Sequence, residues 1–171
     1  MQSTTFTEIK RMDISSPSFV NNGFIPVQYT CDGVNISPGF NIRNIPVQTT
    51  SLAIIVEDPD APINTWIHWL VWNIPVSEHI QENKIKGIEG LNDFCKHFYC
   101  GPCPMSGIHH YKFRFFALDT MLHLPPSSRK YQLDKAMSEH IIGYGELTAQ
   151  YGRSVLVFDK KNKVFHENRN Y

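Results

Sequence analysis

Three short segments of this 171-residue chain carry residue types that could do chemistry. Residues 58–62 hold two aspartates and two prolines, residues 66–68 end in a histidine, and residues 101–111 join a glycine- and proline-rich loop to two histidines and a tyrosine. Each segment lies where an apolar, strand-like run begins or ends. Carboxylate, imidazole and phenol groups at strand ends are suited to anion recognition or acid–base chemistry. The sequence therefore predicts one small site if these segments meet in space.

Five side chains are the main candidates for contact with a ligand: Asp58, Trp66, His68, His109 and Tyr111. The two-residue period of a strand places Trp66 on the same face as His68, and His109 on the same face as Tyr111. Pro59 and Pro62 stiffen the turn that holds the aspartates, so that little entropy is lost when a ligand binds. The plainer interpretations are an acidic surface turn and a packed core histidine.

The loop that begins with Gly101 and Pro102 is rigid and made of small residues. Such a loop allows backbone N–H groups to approach an anion, although an ordinary surface connection explains the composition equally well. Ser106 is close to His109 in sequence, but no Gly-x-Ser-x-Gly nucleophile elbow is present. Catalysis therefore stays the weaker alternative to binding.

The chain has four cysteines: Cys31, Cys95, Cys100 and Cys103. The Cys-x4-Cys-x2-Cys spacing of the last three superficially resembles an iron–sulfur or zinc motif. Prolines flank Cys103, and reduced cysteines are more often buried apolar groups, so we predict no metal and no cofactor. A redox-sensitive pair is an alternative, and the residues alone do not indicate which two cysteines would pair.

Length and charge limit the class of protein. A chain of 171 residues is predicted to form one domain over residues 1–171. Sixteen basic and sixteen acidic side chains are mixed along the sequence, which argues against a nucleic-acid partner. The first twenty residues lack the apolar run of a signal peptide, and no apolar run is long enough to span a bilayer. We therefore expect a soluble, cytoplasmic protein with no integral membrane segment.

Apolar periodicity predicts a mainly β fold. Strands are expected over residues 51–57, 66–74, 109–118 and 154–158, with a short edge strand over residues 24–30. Residues 133–141 carry a helical apolar stripe, and residues 146–153 are ambiguous between helix and strand. Together these elements predict a two-sheet antiparallel β-sandwich with one or two peripheral helices, with a small barrel as the alternative.

The chemical segments, in their order and spacing, resemble the phosphatidylethanolamine-binding protein family, which includes the Raf kinase inhibitor protein. The matching motifs are Asp58-Pro59-Asp60-Ala61-Pro62, Trp66-x-His68, Gly101-Pro102 and Gly107-x-His109-x-Tyr111. Residues 32–38 match a further family segment. The resemblance extends from about residue 24 to residue 153 and is similar to the branch of the family in bacteria and archaea.

This resemblance implies a β-sandwich that acts as a binding module, with a small anion pocket for phosphate-bearing head groups such as phosphoethanolamine. It implies that the ligand is contacted by Asp58, Trp66, His68, Gly101, Pro102, His109 and Tyr111. Support for the site is expected from Asp60, Pro62, Asp32 and Cys103. The family also implies a kinase or protease partner that the protein would regulate. The alternative is a hydrolase that uses the histidines and aspartate on a phosphoester.

Two departures from the family pattern stand out. His110 replaces the arginine that usually follows the histidine of the Gly-x-His segment, which should weaken a structural charge network or make it pH-dependent. Cys103 replaces a proline of the mammalian members and places a thiol at the rim of the pocket. Since the segment of Cys31 is expected nearby, a Cys31–Cys103 contact is our redox hypothesis.

Overall fold

Residues 8–153 are described by the computed structural model, and most of their regular structure is β-strand. In chain order the strands are β1 (Lys10–Arg11), β2 (Asp13–Ser15), β3 (Gly23–Phe24), β4 (Phe40–Arg43), β5 (Ser51–Asp58), β6 (Trp66–Ile74), β7 (His79–Ile80), β8 (Ile88–Glu89), β9 (Ile108–Leu118) and β10 (Ile141–Gly152). A 3₁₀-helix covers Val27–Tyr29, and the α-helix α1 covers Lys130–Met137.

The strands form two sheets, which confirms the predicted fold class. The larger sheet has the order β1-β10-β9-β5-β6-β8, with β3 also paired to β10, and the smaller one has the order β2-β4-β7. Pairing is antiparallel except where β1 and β3 lie parallel to β10.

The central strand β5 is buried along all its eight residues, as its unbroken apolar run predicts. One face of the larger sheet packs on the smaller sheet, where the ring of Phe40 lies 5.4 Å from that of Phe113 and 5.0 Å from that of Phe115. The other face is covered by α1 through the buried side chains of Leu133 and Met137. Two apolar layers therefore enclose the strand.

Three local predictions need correction or completion. Residues 24–30 do not form the expected strand, because Pro26 has no N–H for a ladder and the chain turns into the 3₁₀-helix Val27–Tyr29. The ambiguous residues 146–153 belong mostly to β10. Helix α1 ends at Met137, before the end of the predicted stripe, and the strand predicted over residues 154–158 lies outside the described residues.

Sheet topology brings the chemical segments together. Strand β5 lies between β6 and β9 and is antiparallel to both, so its carboxyl end is beside the amino ends of its two neighbours. The register pairs Asp58 with Trp66 on β6 and Glu57 with Lys112 on β9. The motifs at residues 58–62, 66–68 and 107–111 therefore meet at one edge of the sheet.

Candidate functional site

A cavity of about 290 Å³ opens at this edge. It is lined by the five predicted ligand-contacting side chains named first above: Asp58, Trp66, His68, His109 and Tyr111. Pro62 and Cys103, predicted as supporting residues, also line it. The remaining lining residues are Ala61, Phe94, Pro104, Met105 and Ser106. The structure thus brings most of the predicted site residues together.

Asp58 orients His109. The Nδ1 atom of His109 lies 2.7 Å from Oδ2 of Asp58, and the two side chains are only 14% and 6% exposed. An ionised carboxylate can only accept, so Nδ1 carries the proton and Nε2 is left for a ligand. The other carboxylate oxygen of Asp58 accepts the backbone N–H of Asp60 at 2.9 Å, which fixes the carboxylate in turn.

His68 is held in a defined protonation pattern by the backbone. Its Nδ1 lies 2.6 Å from the carbonyl oxygen of Cys100, which can only accept, so Nδ1 is the protonated nitrogen. Burial lowers the pKa of His68, an effect that the Cys100 carbonyl and the Asp58 carboxylate oppose. The imidazole is therefore neutral near pH 7 with a lone pair on Nε2, and it can donate from Nε2 to a phosphate oxygen only after it gains a proton.

Tyr111 supplies the unused donor of the site. The residue is fully buried, and its hydroxyl makes no hydrogen bond of good geometry among residues 8–153, although the Asp58 carboxylate and the Cys103 backbone are close to it. Burial, with the nearby Asp58 carboxylate, raises the pKa of Tyr111 far above its ordinary value, so the group stays a protonated donor. Leaving such a donor unpaired costs about 1–3 kcal/mol. A ligand oxygen in the cavity would remove that cost.

Phe94 forms a wall of the cavity that we did not predict from the sequence. Its ring contacts Trp66 edge-on with centroids 5.5 Å apart, and His68 in the same way at 5.2 Å. The buried side chain of Asn92 positions Phe94, because its oxygen accepts the Phe94 and Lys96 N–H groups, each at 3.0 Å. An asparagine that bonds the backbone two residues later is a known turn signal, so the turn could have been found but not its position at the cavity.

Gly101 and Pro102 lie behind the cavity and do not line it, which corrects their expected position. The Gly101 N–H donates to Oδ1 of Asn35 at 2.7 Å, and a Cβ atom on Gly101 would overlap the Tyr29 carbonyl oxygen. The Pro102 carbonyl accepts the N–H of Cys31 at 3.1 Å. Both residues therefore fasten the loop to the neighbouring turn.

Asp60 also lies outside the lining, and it fixes the loop as expected. Its Oδ2 accepts both the backbone N–H and the Nδ1–H of His110, each at 2.8 Å. These hydrogen bonds lower the pKa of Asp60, the side-chain bond most of all. His110 thus forms its own pair in place of the family arginine.

Asp32 is on the outer side of the turn that contains Cys31, away from the cavity. It accepts hydrogen bonds from the Tyr151 hydroxyl at 2.8 Å and from Arg153, and the Arg153 bond is the main reason that its pKa falls to about 2. Cys31 and Cys103, 72 residues apart, form a disulfide, so the contact that we hypothesised is present. Cys95 is free and exposed, and Cys100 is free and buried.

Neither a metal site nor a membrane-spanning helix is found among residues 8–153. Among residues 8–153, no three His, Cys, Asp or Glu side chains are grouped in a way that could hold a metal ion. The only α-helix in that range, α1, has eight residues, and no helix there is long and apolar enough to cross a membrane.

Comparison with known proteins now identifies the family. A family model described as phosphatidylethanolamine-binding protein matches residues 15–152. The chain belongs to the phosphatidylethanolamine-binding protein family. Among its relatives, a UPF0098 protein of Pyrococcus horikoshii is 46% identical over 149 residues, which are 81% of this chain and 75% of the relative. A UPF0098 protein of Methanothermobacter thermautotrophicus is 41% identical over 150 residues, which are 83% of this chain and 99% of the relative.

Solved structures agree with this assignment. A phosphatidylethanolamine-binding protein homologue from Chlamydia trachomatis superposes with a TM-score of 0.81 at 38% identity, covering 84% of this chain and 99% of the homologue. Escherichia coli YbcL, a family member, superposes with a TM-score of 0.78 at 27% identity, covering 83% of this chain and 98% of YbcL. Relatives occur in archaea and in bacteria, so similarity does not assign this chain to bacteria.

Proposed function

We propose that the cavity binds a small phosphate-bearing head group of the phosphoethanolamine type. The observation that carries the proposal is the buried Tyr111 hydroxyl, a protonated donor without a partner among residues 8–153, in the lining that also contains His68 and His109. Family membership supports a binding role, and the donor supports an oxygen-bearing ligand.

The protonation pattern determines how such a ligand would be held. Tyr111 would donate to one phosphate oxygen and His109 would face the ligand with Nε2, while the neutral Nε2 of His68 needs a proton before it can share one with phosphate. A phosphate monoester has a second pKa of about 6 and can bring that proton itself. Each imidazole–phosphate bond therefore requires a proton that is lost as pH rises. The Asp58 carboxylate would attract the ammonium end of the same ligand.

The test is calorimetric titration with phosphoethanolamine at pH 6 and pH 8, in two buffers with different heats of ionisation. We expect tighter binding at pH 6 and net proton uptake. Tyr111→Phe should weaken binding roughly fivefold, about 1 kcal/mol, because one hydrogen bond is lost. Tyr131→Phe is the matched control, since Tyr131 is an exposed residue of α1. Binding that is equal at both pH values without proton uptake would contradict the proposal.

A phosphorylated side chain of a kinase or protease partner would present the same phosphate, and this regulatory role belongs to the proposal. Met105 is exposed in the lining of the cavity and is the contact residue that we expect for such a partner, whereas Phe98 is exposed but lines a different cavity. Tyr99 is buried, and its hydroxyl donates to the Tyr29 carbonyl at 2.9 Å, so it is not exposed to a partner. A phosphopeptide should compete with phosphoethanolamine if both occupy the cavity.

Hydrolysis of a phosphoester is the second candidate function. It is favoured by the Asp58–His109 pair, which can act as a general base, together with Ser106 in the same lining. Hydrolysis would be established if the wild-type protein releases phosphate from a phosphomonoester and both Ser106→Ala and His109→Ala abolish that release. Turnover that persists in these variants would point to a contaminant.

The cytoplasmic location stays a prediction. The Cys31–Cys103 disulfide bears on it, because disulfides persist in oxidising compartments and are rare in cytosolic proteins outside hyperthermophiles. The fraction of disulfide in protein taken directly from cells and trapped with acid would show which environment the chain occupies.

A further inference from the structure

We propose that the Cys31–Cys103 disulfide makes the cavity redox-sensitive: reduction by a thiol releases the rim segment, residues 103–107, and weakens ligand binding. The effect on binding rests on the function proposed above. The release of the rim segment rests on the structure alone and is tested separately.

The rim segment has few other ties to the protein. Among residues 8–153, no hydrogen bond involves residues 104–106, and Met105 is 93% exposed. At the far end, Gly107 has a φ of +73° with no atom near the position of a Cβ, so the backbone there has room and freedom to turn. At the near end the disulfide joins Cys103 to the turn at Cys31. If the disulfide is broken, the next contact on the amino-terminal side of the rim segment is the hydrogen bond from the Cys31 N–H to the Pro102 carbonyl.

The rim segment is one side of the cavity. Cys103, Pro104, Met105 and Ser106 all line the cavity, whereas the other contributions come from β5, β6 and β9, from the loop at Ala61 and Pro62, and from the turn at Phe94. The strand residues are held by sheet ladders, and Phe94 is held by Asn92. The disulfide is therefore the one covalent link across a wall whose residues 104–106 make no hydrogen bond among residues 8–153, and a released wall lowers the fraction of molecules ready to bind.

The surroundings of the two sulfur atoms favour one order of reaction. Cys103 lines the cavity, so a small thiolate can reach its sulfur. The Sγ of Cys31 lies 3.4 Å from the Arg153 guanidinium, which stabilises a thiolate there, although Asp32 shares that cation. The better leaving group is the thiolate of lower pKa, so attack at Cys103 with departure of Cys31 is favoured.

The electrons balance with a low-molecular-weight thiol or dithiol as reductant. An incoming thiolate forms a mixed disulfide with Cys103 and releases Cys31 as a thiolate. A second thiol then attacks the mixed disulfide, leaves Cys103 reduced, and departs as the oxidised disulfide of the reductant. Two electrons pass from the reductant to the protein, and the two cysteine thiolates take up protons from water.

The first test uses the wild-type protein, oxidised or reduced with dithiothreitol, and the double variant Cys31→Ser with Cys103→Ser. Brief digestion with proteinase K is mapped by mass spectrometry. We expect cleavage within residues 103–107 to be at least severalfold faster in the reduced protein and in the double variant. Cys95→Ser is the matched control, because Cys95 is free and exposed, and it should behave like the oxidised wild type.

Phosphoethanolamine titration of the same samples completes the test. We expect roughly tenfold weaker binding when the disulfide is absent. This is the loss that results if the rim segment is in its binding position in about a tenth of the molecules. Equal cleavage rates in the oxidised and reduced protein would overturn the proposal, whatever the titration shows. So would a disulfide that dithiothreitol does not reduce in the native protein. Faster cleavage with unchanged affinity would overturn the control of binding. Faster cleavage without any heat of phosphoethanolamine binding, in either the oxidised or the reduced protein, would contradict the proposed ligand. It would still support release of the rim segment on reduction.

The order of attack has its own test. Oxidised wild-type protein is exposed briefly to glutathione, quenched with acid and mapped by mass spectrometry. We expect the glutathione adduct on Cys103 and a free thiol on Cys31. An adduct mainly on Cys31 would contradict the role assigned to Arg153.

Discussion

Mild acid should destabilise this protein through His68, because the folded chain holds that imidazole neutral. The residue is 3% exposed, and burial is the largest cause of its lowered pKa. In the unfolded chain the pKa returns to its ordinary value of 6.5. Below that pH the unfolded state takes up a proton that the folded state does not, so the free energy of unfolding falls as pH falls. Above it, the contribution of His68 is fully present.

The magnitude follows from one proton. A difference of one bound proton between the two states changes the free energy of unfolding by about 1.4 kcal/mol per pH unit. If His68 stays neutral in the folded state throughout, lowering the pH from 7.5 to 5.5 removes about 1.4 kcal/mol in total, because the unfolded imidazole titrates over only the lower half of that interval. Typical domains have a free energy of unfolding of about 5–15 kcal/mol, so a loss of this size is measurable.

Urea denaturation at pH 7.5 and 5.5, in buffers without phosphate, measures this loss. His68→Gln keeps an amide donor for the Cys100 carbonyl but cannot titrate. Wild type should lose more stability than His68→Gln over this interval, by up to about 1.4 kcal/mol. His123→Gln is the matched control, since His123 is exposed, and it should follow wild type. Equal losses in wild type and His68→Gln would refute the account of a neutral, buried imidazole.

Three further changes have defined outcomes, each measured by urea denaturation. Tyr111→Phe should leave the ligand-free protein as stable or up to about 1 kcal/mol more stable, because it removes a buried hydroxyl without a partner among the described residues. Asn92→Ala should cost about 3 kcal/mol, because it leaves buried carbonyl and N–H groups around Phe94 unpaired. His110→Gln should cost less than about 1 kcal/mol, since the pair with Asp60 is close to half exposed on both sides.

Much of the fold could be predicted from the sequence because local pattern and final environment agree. The apolar run of β5 has no polar face, and the structure buries it between two layers. Residues 24–30 show where pattern fails, since β-branched and aromatic residues favour a strand there while Pro26 and the packing of Tyr29 produce a 3₁₀-helix. Tertiary contacts override propensity most easily in such short segments.

The candidate site divides in the same way. Residue types and spacing were enough to name Asp58, His68, His109 and Tyr111 as candidates, whereas their meeting at one cavity depends on the order of β5, β6 and β9 in the sheet. Phe94 was not found, since its place at the cavity depends on a turn held by Asn92. Gly101 was expected at the cavity, although close approach to Tyr29 is the reason for a glycine there.

The sequence by itself determined the family, the central strand and the chemical groups of the site, since these follow from the order of residue types. Only the tertiary structure decided which nitrogens carry protons and which cysteines pair. His68 is 32 residues from the carbonyl that sets its tautomer, His109 is 51 residues from its carboxylate, and the paired cysteines are 72 residues apart. Protonation and pairing depend on atoms a few ångströms apart in space, and no local pattern in the chain records those distances.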